Sequence, residues 1–251
     1  MIPYPCVLAL ASVASISAAG AENGAAARSA RLGAQIARLE QALPDAPESM
    51  TRASLTLELA QLHRARSLLA AVLGDQASKQ ADLQAAIRLS RDLLSRFPKY
   101  PDRDRVLLFL ASCLADAGLA QEAAARDREL LRDYPDSRLA PDAALQAGDI
   151  AFDAKDLAQA RKDYHQALAS PDPRAVGYAL YKLAWCAFSA GDDAQAIRGF
   201  QRVVAYEDDA LATGPSAGRA AALQLKNQAL QDMAHARDDQ ARRAPPRSSG
   251  K

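Results

Sequence analysis

Apolar side chains recur every three or four residues along this chain, and short clusters of Gly, Pro and Asp interrupt the pattern. That is the period of helices with one buried face. Leu32, Ile36, Leu39 and Leu43 form one such stripe, which Pro44-Asp45-Ala46-Pro47 stops. Asp45, with Glu48 three residues later, has the form of an N-terminal capping box, and Pro47 suits a first helical turn. A long helix is expected from about Glu48 to Leu73, with Leu55, Leu59, Leu62, Arg66 and Leu69 in line and Gly74-Asp75 as its break. Another is expected from Ser78 to Arg96. Beyond Phe97-Pro98-Lys99-Tyr100-Pro101 the helices come in pairs: Arg105 to Ala117 with Leu119 to Asp133, Pro141 to Ala154 with Leu157 to Ser170, and Val176 to Ala190 with Asp193 to Tyr206. Pro135, Pro171 and Pro173 read as stops, because proline cannot donate the next backbone hydrogen bond. A last amphipathic helix is expected from Gly218 to about Ala236, with Leu225, Ala229 and Met233 in line.

The pairs repeat one template. Ala117-Gly118-Leu119-Ala120-Gln121-Glu122-Ala123, Ala154-Lys155-Asp156-Leu157-Ala158-Gln159-Ala160 and Ala190-Gly191-Asp192-Asp193-Ala194-Gln195-Ala196 each place a tight turn before a helix with Ala in its first turns. The closing alanines, 123, 160 and 196, are 37 and 36 residues apart. A fixed period of this size marks a stack of helical hairpins, each unable to bury its apolar face alone. The expected organisation is a leader at 1–21, an N-terminal helix at 22–47, an array of about four hairpins at 48–209 with the best units at 104–137, 141–173 and 177–209, a capping helix at 210–236 and a basic, disordered tail at 237–251.

Composition agrees with an all-α chain. Hydrophobic residues are 49% but aromatics only 5%, so alanine and leucine carry the apolar content. Lys and Arg number 31 against 30 acidic residues, which leaves no global charge to draw the chain to nucleic acid or an anionic membrane. The basic end, Arg242, Arg243, Arg247 and Lys251, lacks the interleaved aromatics that stack on bases. Residues 1–21 hold no charged side chain, Val7 to Ala18 is the length of a signal-peptide core, and Ala19-Gly20-Ala21 has the form of a cleavage site. Export with Glu22 as the first mature residue is expected. Cys113 and Cys186 occupy the same template position two repeats apart, roughly 20 Å by helix spacing, and are expected to stay unpaired.

The three hairpins resemble tetratricopeptide repeats. The template positions fall on Leu107, Leu110-Ala111, Gly118, Ala123, Asp127, Leu130 and Pro135, then on Ala144, Ala147-Gly148, Lys155, Ala160, Tyr164 and Ala167, then on Leu180, Leu183-Ala184, Gly191, Ala196, Phe200 and Val203. Asp127 stands where the template has an aromatic, and Lys155 where it has glycine. The segment before Pro98 is similar to a fourth, longer unit, with Ala86 and Leu93 in the second-helix slots. The resemblance implies an all-α, tetratricopeptide-type helical-hairpin solenoid wound as a right-handed superhelix. Phe97-Pro98, Tyr134-Pro135-Asp136-Ser137 and Gly177 to Cys186 are further similar to exported repeat proteins of Gram-negative bacteria. These are the myxobacterial gliding-motility repeat proteins over about residues 50–235 and, more distantly, the Tol-Pal-associated coordinator and Bam-complex lipoprotein families. Ala221 to Ala236 is similar to the first helix of a further repeat that is never completed.

No phosphate-cradling glycine loop, His-Glu-x-x-His, Gly-x-Ser-x-Gly or calcium-loop pattern is present. His63, His165 and His235 lie on different expected helices, without a second ligand at metal-binding spacing. The expectations are therefore no enzyme, no cofactor and no metal. By the repeat resemblance, the first helix of each hairpin lines a concave groove. In the third hairpin these positions are Tyr178, Tyr181, Trp185, Phe188 and Ser189, one helical stripe that holds the chain's only Trp. The second contributes Asp142, Leu145, Asp149, Phe152 and Asp153, and the first Arg105, Leu108, Ser112, Ala115 and Asp116. The groove is expected to be acidic in its middle and aromatic at its C-terminal side, with Tyr178, Tyr181, Trp185, Phe188, Phe152 and Asp149 as the partner-binding set. Several readings of the stripe stand: it contacts a bound peptide, it packs against the Gly218–Ala236 helix or fills the superhelix core, or it divides, with Trp185 inward and Tyr178 or Tyr181 exposed. The functional expectation is a scaffold of the cell envelope, periplasmic, with a protein or peptide partner and neither nucleic acid nor a membrane span. The alternatives are a cytosolic repeat adaptor and a structural spacer without a groove ligand.

Overall fold

The computed structural model describes residues 18–214 and 218–243. All regular elements among them are helices: α1 (Ala18–Ala42), α2 (Met50–Val72), α3 (Gln76–Arg96), α4 (Arg103–Asp116), α5 (Ala120–Asp133), α6 (Ala140–Asp153), α7 (Leu157–Ala167), α8 (Pro173–Ser189), α9 (Asp193–Thr213) and α10 (Arg219–Arg243). The chain divides into two compact units, residues 1–126 and 127–251, with the division inside α5.

Local chemistry sets the hairpins. α2, α4, α6 and α8 end in the same turn. In the third hairpin the Gly191 N–H donates to Phe188 O and the Asp192 N–H to Ala187 O; in the second, Lys155 donates to Phe152 O and Asp156 to Ala151 O. This pair of hydrogen bonds satisfies carbonyls left over at a helix end, and it needs a left-handed residue at its corner. Gly74, Gly118 and Gly191 supply it with φ of 73°, 80° and 80°, and Lys155 supplies it at 66°. A side chain in that region is strained by about 1 kcal/mol relative to glycine. The aspartate that follows starts the next helix: Asp75, Asp156 and Asp192 accept from the N–H groups of Ser78, Gln159 and Gln195.

Several boundaries differ from the sequence expectation. The cap of α2 is Ser49, which accepts from the Thr51 N–H, rather than the Asp45 box. Pro173 opens α8 at a first-turn position behind the Asp172 cap, instead of closing the helix before it. α9 runs on to Thr213 and α10 to Arg243, so residues 237–243, expected to lie in the tail, are helical. No Gly or Pro interrupts either extension. Of the expected leader, residues 1–17 lie outside the described residues, and Ala18 to Ala21 form the first turn of α1.

In unit 1, α1 packs on α2, α2 on α3 and α3 on α4. Ala53, Leu57, Leu93, Phe97, Tyr100 and Val106 form an apolar cluster. Beside it lies a buried charged cluster: Asp82, 2% exposed, accepts from His63 Nδ1 at 2.7 Å and from Arg66 Nε and Nη2 at 2.7 and 2.6 Å. Burial opposes the Asp82 charge, but Arg66 and His63 hold the carboxyl below its usual range.

In unit 2, α6 packs on α7, α7 on α8, α8 on α9, and α10 on both α9 and α8. Tyr164 of α7 lies flat over Gly148 of α6: a Cβ there would stand 2.8 Å from the ring. Leu180, Ala184 and Ala187 of α8 meet Ala196, Phe200 and Val203 of α9, with Ala229 and Ala236 of α10 closing the cluster. Asp127, fully buried beside Gln146 and Asp163, occupies the slot that Tyr164 and Phe200 fill in the next two hairpins. Burial first, and the Asp163 charge second, push its carboxyl up to about 8.

Candidate functional site

The aromatic stripe lies along α8 as its spacing implied. Tyr178 and Tyr181 have ring centroids 6.4 Å apart, Tyr181 and Trp185 6.4 Å, and Trp185 and Phe188 5.4 Å, the last two pairs edge to face. Phe200 of α9 supports the row from beneath, 5.9 Å from Tyr181 and 6.0 Å from Trp185. Edge-to-face geometry sets the positive ring edge against the negative face and adds roughly 1 kcal/mol per pair to simple burial. Tyr178 is buried, whereas Tyr181, Trp185 and Phe188 are half-buried.

Much of that burial comes from α10. The Tyr181 hydroxyl donates to Asp232 Oδ2 at 2.7 Å, and the Phe188 ring lies 5.5 Å from His235. Leu225 and Met233 of α10 join the same cluster. At its far end Arg243 reaches Asp193 at 3.3 Å. The structure thus brings the expected aromatics together and sets the chain's own last helix against them.

The second hairpin supplies the polar half. Asp149 of α6 accepts from the Tyr164 hydroxyl at 2.7 Å and from that of Tyr178 at 3.4 Å, and pairs with Lys182 Nζ at 3.1 Å. The Lys182 ammonium also lies 4.3 Å from the centroid of the buried Phe152 ring. Burial raises the Asp149 carboxyl above its usual range, with Lys182 working against the shift. Asp149 is therefore engaged within the protein. Asp153 and Ser189 are exposed, and Asp142, half-exposed, is also raised by burial. Lys182, Asp232 and His235 were not among the expected site residues. Tyr181 and Asp232 are 51 residues apart, so no local pattern announces their contact.

Glu207 of α9, 4% exposed, lies against the Cα of Gly177 and near Leu225, and burial pushes its carboxyl up to about 7. In unit 1 a cavity of about 310 Å³ opens between α1, α2 and α3, lined among others by Arg52, Arg88, Arg96, Glu40 and Asp92. Its mixed charge selects no single ligand. Cys113 and Cys186 are both buried, and neither is in a disulfide. Among the described residues no group of three His, Cys, Asp or Glu side chains is placed to hold a metal ion, and no helix is long and apolar enough to cross a membrane.

Comparison with known proteins agrees on the repeat. Residues 178–209, the α8–α9 hairpin, match the tetratricopeptide repeat family. BtubC (BKLC) from P. vanneervenii is similar in structure at 18% identity, over 88% of this chain and 96% of that one, with a TM-score of 0.50. Two crystal structures of MamA are similar at 20% and 18% identity, over 68% and 76% of this chain and 95% and 97% of theirs, each with a TM-score of 0.46. No curated protein matches the chain in sequence. The fold is all-α and of the tetratricopeptide-repeat type.

Proposed function

We propose that the chain is a non-catalytic protein-interaction scaffold that receives a peptide segment of a partner along the α6 and α8 face of unit 2. The observation that carries this reading is the row of half-buried aromatics on α8, held rigid by Phe200 and α10 and bordered by the exposed Asp153 and Ser189. Rigid aromatic edges offer apolar area at small entropic cost, which is how interaction hot spots are built. Tyr178, Phe152 and Asp149 set the row from behind, while the edges of Tyr181, Trp185 and Phe188 make contact. Asp153 and Asp142 favour a basic residue in the ligand. The uncharged leader with Ala19-Gly20-Ala21 supports a place in the periplasm, and the resemblance to envelope repeat proteins supports a role in an outer-membrane-associated or gliding machine.

A second reading, a spacer without a groove ligand, draws on one contact: the Tyr181 hydrogen bond to Asp232, which makes the row part of the packing. Photo-crosslinking in the native cell separates the two. A crosslinking residue at Asp153 or Ser189 should give a discrete protein adduct, while one at the exposed Arg202 on α9 should not. Absence of adducts at 153 and 189, or equal labelling at 202, contradicts the groove and leaves the spacer. Fractionation of the same cells should place the protein in soluble periplasm, beginning near Glu22, and a cytosolic protein that retains Met1 contradicts the envelope assignment.

A further inference from the structure

α10 repeats the packing pattern of α8, but only on one side. In α8, Ala179 packs with Ala144 and Ala167, and Cys186 with Phe152, Ala160 and Tyr164, all of the preceding hairpin. Residues 43 positions further on, Ala222 and Ala229, are both buried in α10, and Ala229 packs into the α8–α9 cluster. The neighbouring positions of α8, Leu180, Ala184 and Ala187, pack on the second helix of their own hairpin, α9. Their counterparts at the same spacing are Leu223, Asn227 and Leu230. Leu223 is 50% exposed and Leu230 38%. α10 is thus built like the first helix of a hairpin, with no second helix packed on this stripe among the described residues.

The exposed stripe has a definite pattern. Ala220, Leu223, Asn227, Leu230, Ala234, Arg237 and Ala241 are all exposed, and they alternate in steps of three and four. That is the seam of a two-helix coiled coil. We propose that its occupant is the α10 of a second copy of this chain, packed antiparallel about a twofold axis near Gln228 and Ala229. In that register Leu223 faces Ala234 of the other copy, and Asn227 faces Leu230, so a large side chain meets a smaller one at each level. Arg219 and Asp238, both exposed, meet at the two ends. The stripe is self-complementary in size and in charge, which is what a twofold interface requires. A single antiparallel helix pair of this length lies at the small end of specific interfaces, so association is reversible, with a dissociation constant on the order of 10 µM.

Sedimentation equilibrium of the full chain, from about 1 to about 200 µM, should show a monomer–dimer equilibrium in that range. Leu223→Glu with Leu230→Glu should abolish the dimer and leave the circular dichroism unchanged, because both side chains face solvent in the monomer. Arg219→Asp alone, or Asp238→Arg alone, should weaken association by about tenfold, and the two together should restore it. A chain that stays monomeric across the range, or a dimer indifferent to the leucine changes, overturns the proposal. Failure of the double charge exchange to restore association overturns the antiparallel register. A monomer that captures a helix of another protein on this stripe overturns self-pairing.

Discussion

The two units reach stability by different chemistry. Unit 1 joins α2 to α3 through the buried His63–Asp82–Arg66 cluster and ties α3 back to the start of α2 through Arg96 and Glu48. Unit 2 joins α8, α9 and α10 chiefly through rings, with Phe200 at the centre and the hydroxyls of Tyr181 and Tyr206 bonded across, while the Arg243–Asp193 and Lys226–Asp208 pairs lie at the rim. A buried ion cluster is directional: it fixes one pairing of helices and is costly when a member is missing. An aromatic cluster is held by ring packing and presents edges outward, so it suits a face that meets a partner. That contrast is why the functional reading falls on unit 2.

The largest expected effect tests the aromatic side. Phe200→Ala removes a fully buried ring and should destabilise by about 4 kcal/mol in denaturant unfolding, with Trp185 emission shifting as its support is lost. A loss under about 1 kcal/mol would mean that the rings are not the keystone of unit 2. On the charged side, Asp82→Ala strands a buried imidazole and a partly buried guanidinium, and should cost about 3 kcal/mol. If Phe200→Ala and Asp82→Ala are both mild, the contrast between the units fails.

Asp127 is the charge misplaced in unit 2. Its folded carboxyl titrates at about 8, well above an unfolded aspartate, so the folded state holds the proton more tightly. The stabilising contribution of the protonated form is complete below about pH 4 and is lost as pH rises toward about 8. Gln146, Asp163 and Arg128 are the groups that bear on it. Asp127→Asn should remove this slope and be the more stable protein above pH 8, by on the order of 2 kcal/mol. Parallel stability curves of the two proteins between pH 5 and pH 9 would show that Asp127 does not carry the dependence. The smallest effect is at the turn: Lys155→Gly should stabilise by about 0.5–1 kcal/mol, since glycine takes φ of 66° without strain. Loss of the Lys155 ammonium from beside Phe152 sets the upper limit on that gain.

What the sequence revealed is what is local. Hairpin turns with their left-handed corners, aspartate caps and the ring stripe at 178, 181, 185 and 188 each depend on residues within about one helical turn of each other. Lys155 still forms the turn because the Asp156 cap and the two backbone bonds impose its conformation. What stayed hidden is what crosses helices. His63 and Arg66 are three apart on α2, but nothing near them names Asp82 as their shared acceptor. Asp149 read as an open acid because Lys182 comes from the next hairpin. The ends of α9 and α10 were misplaced because Glu207 to Thr213 and Arg237 to Arg243 contain no breaker, and the amphipathic pattern fades before the helix does.

The central claim is that the edge of the α8 aromatic row receives a partner. Trp185 is the only Trp of the chain and lies in that row, so its emission reports on the site without added label. Titrating the purified chain with the partner captured at Asp153 or Ser189 should shift Trp185 emission to shorter wavelength, saturably and with the same midpoint as binding followed by light scattering. Emission that stays constant through saturation would place the partner elsewhere and contradict the claim.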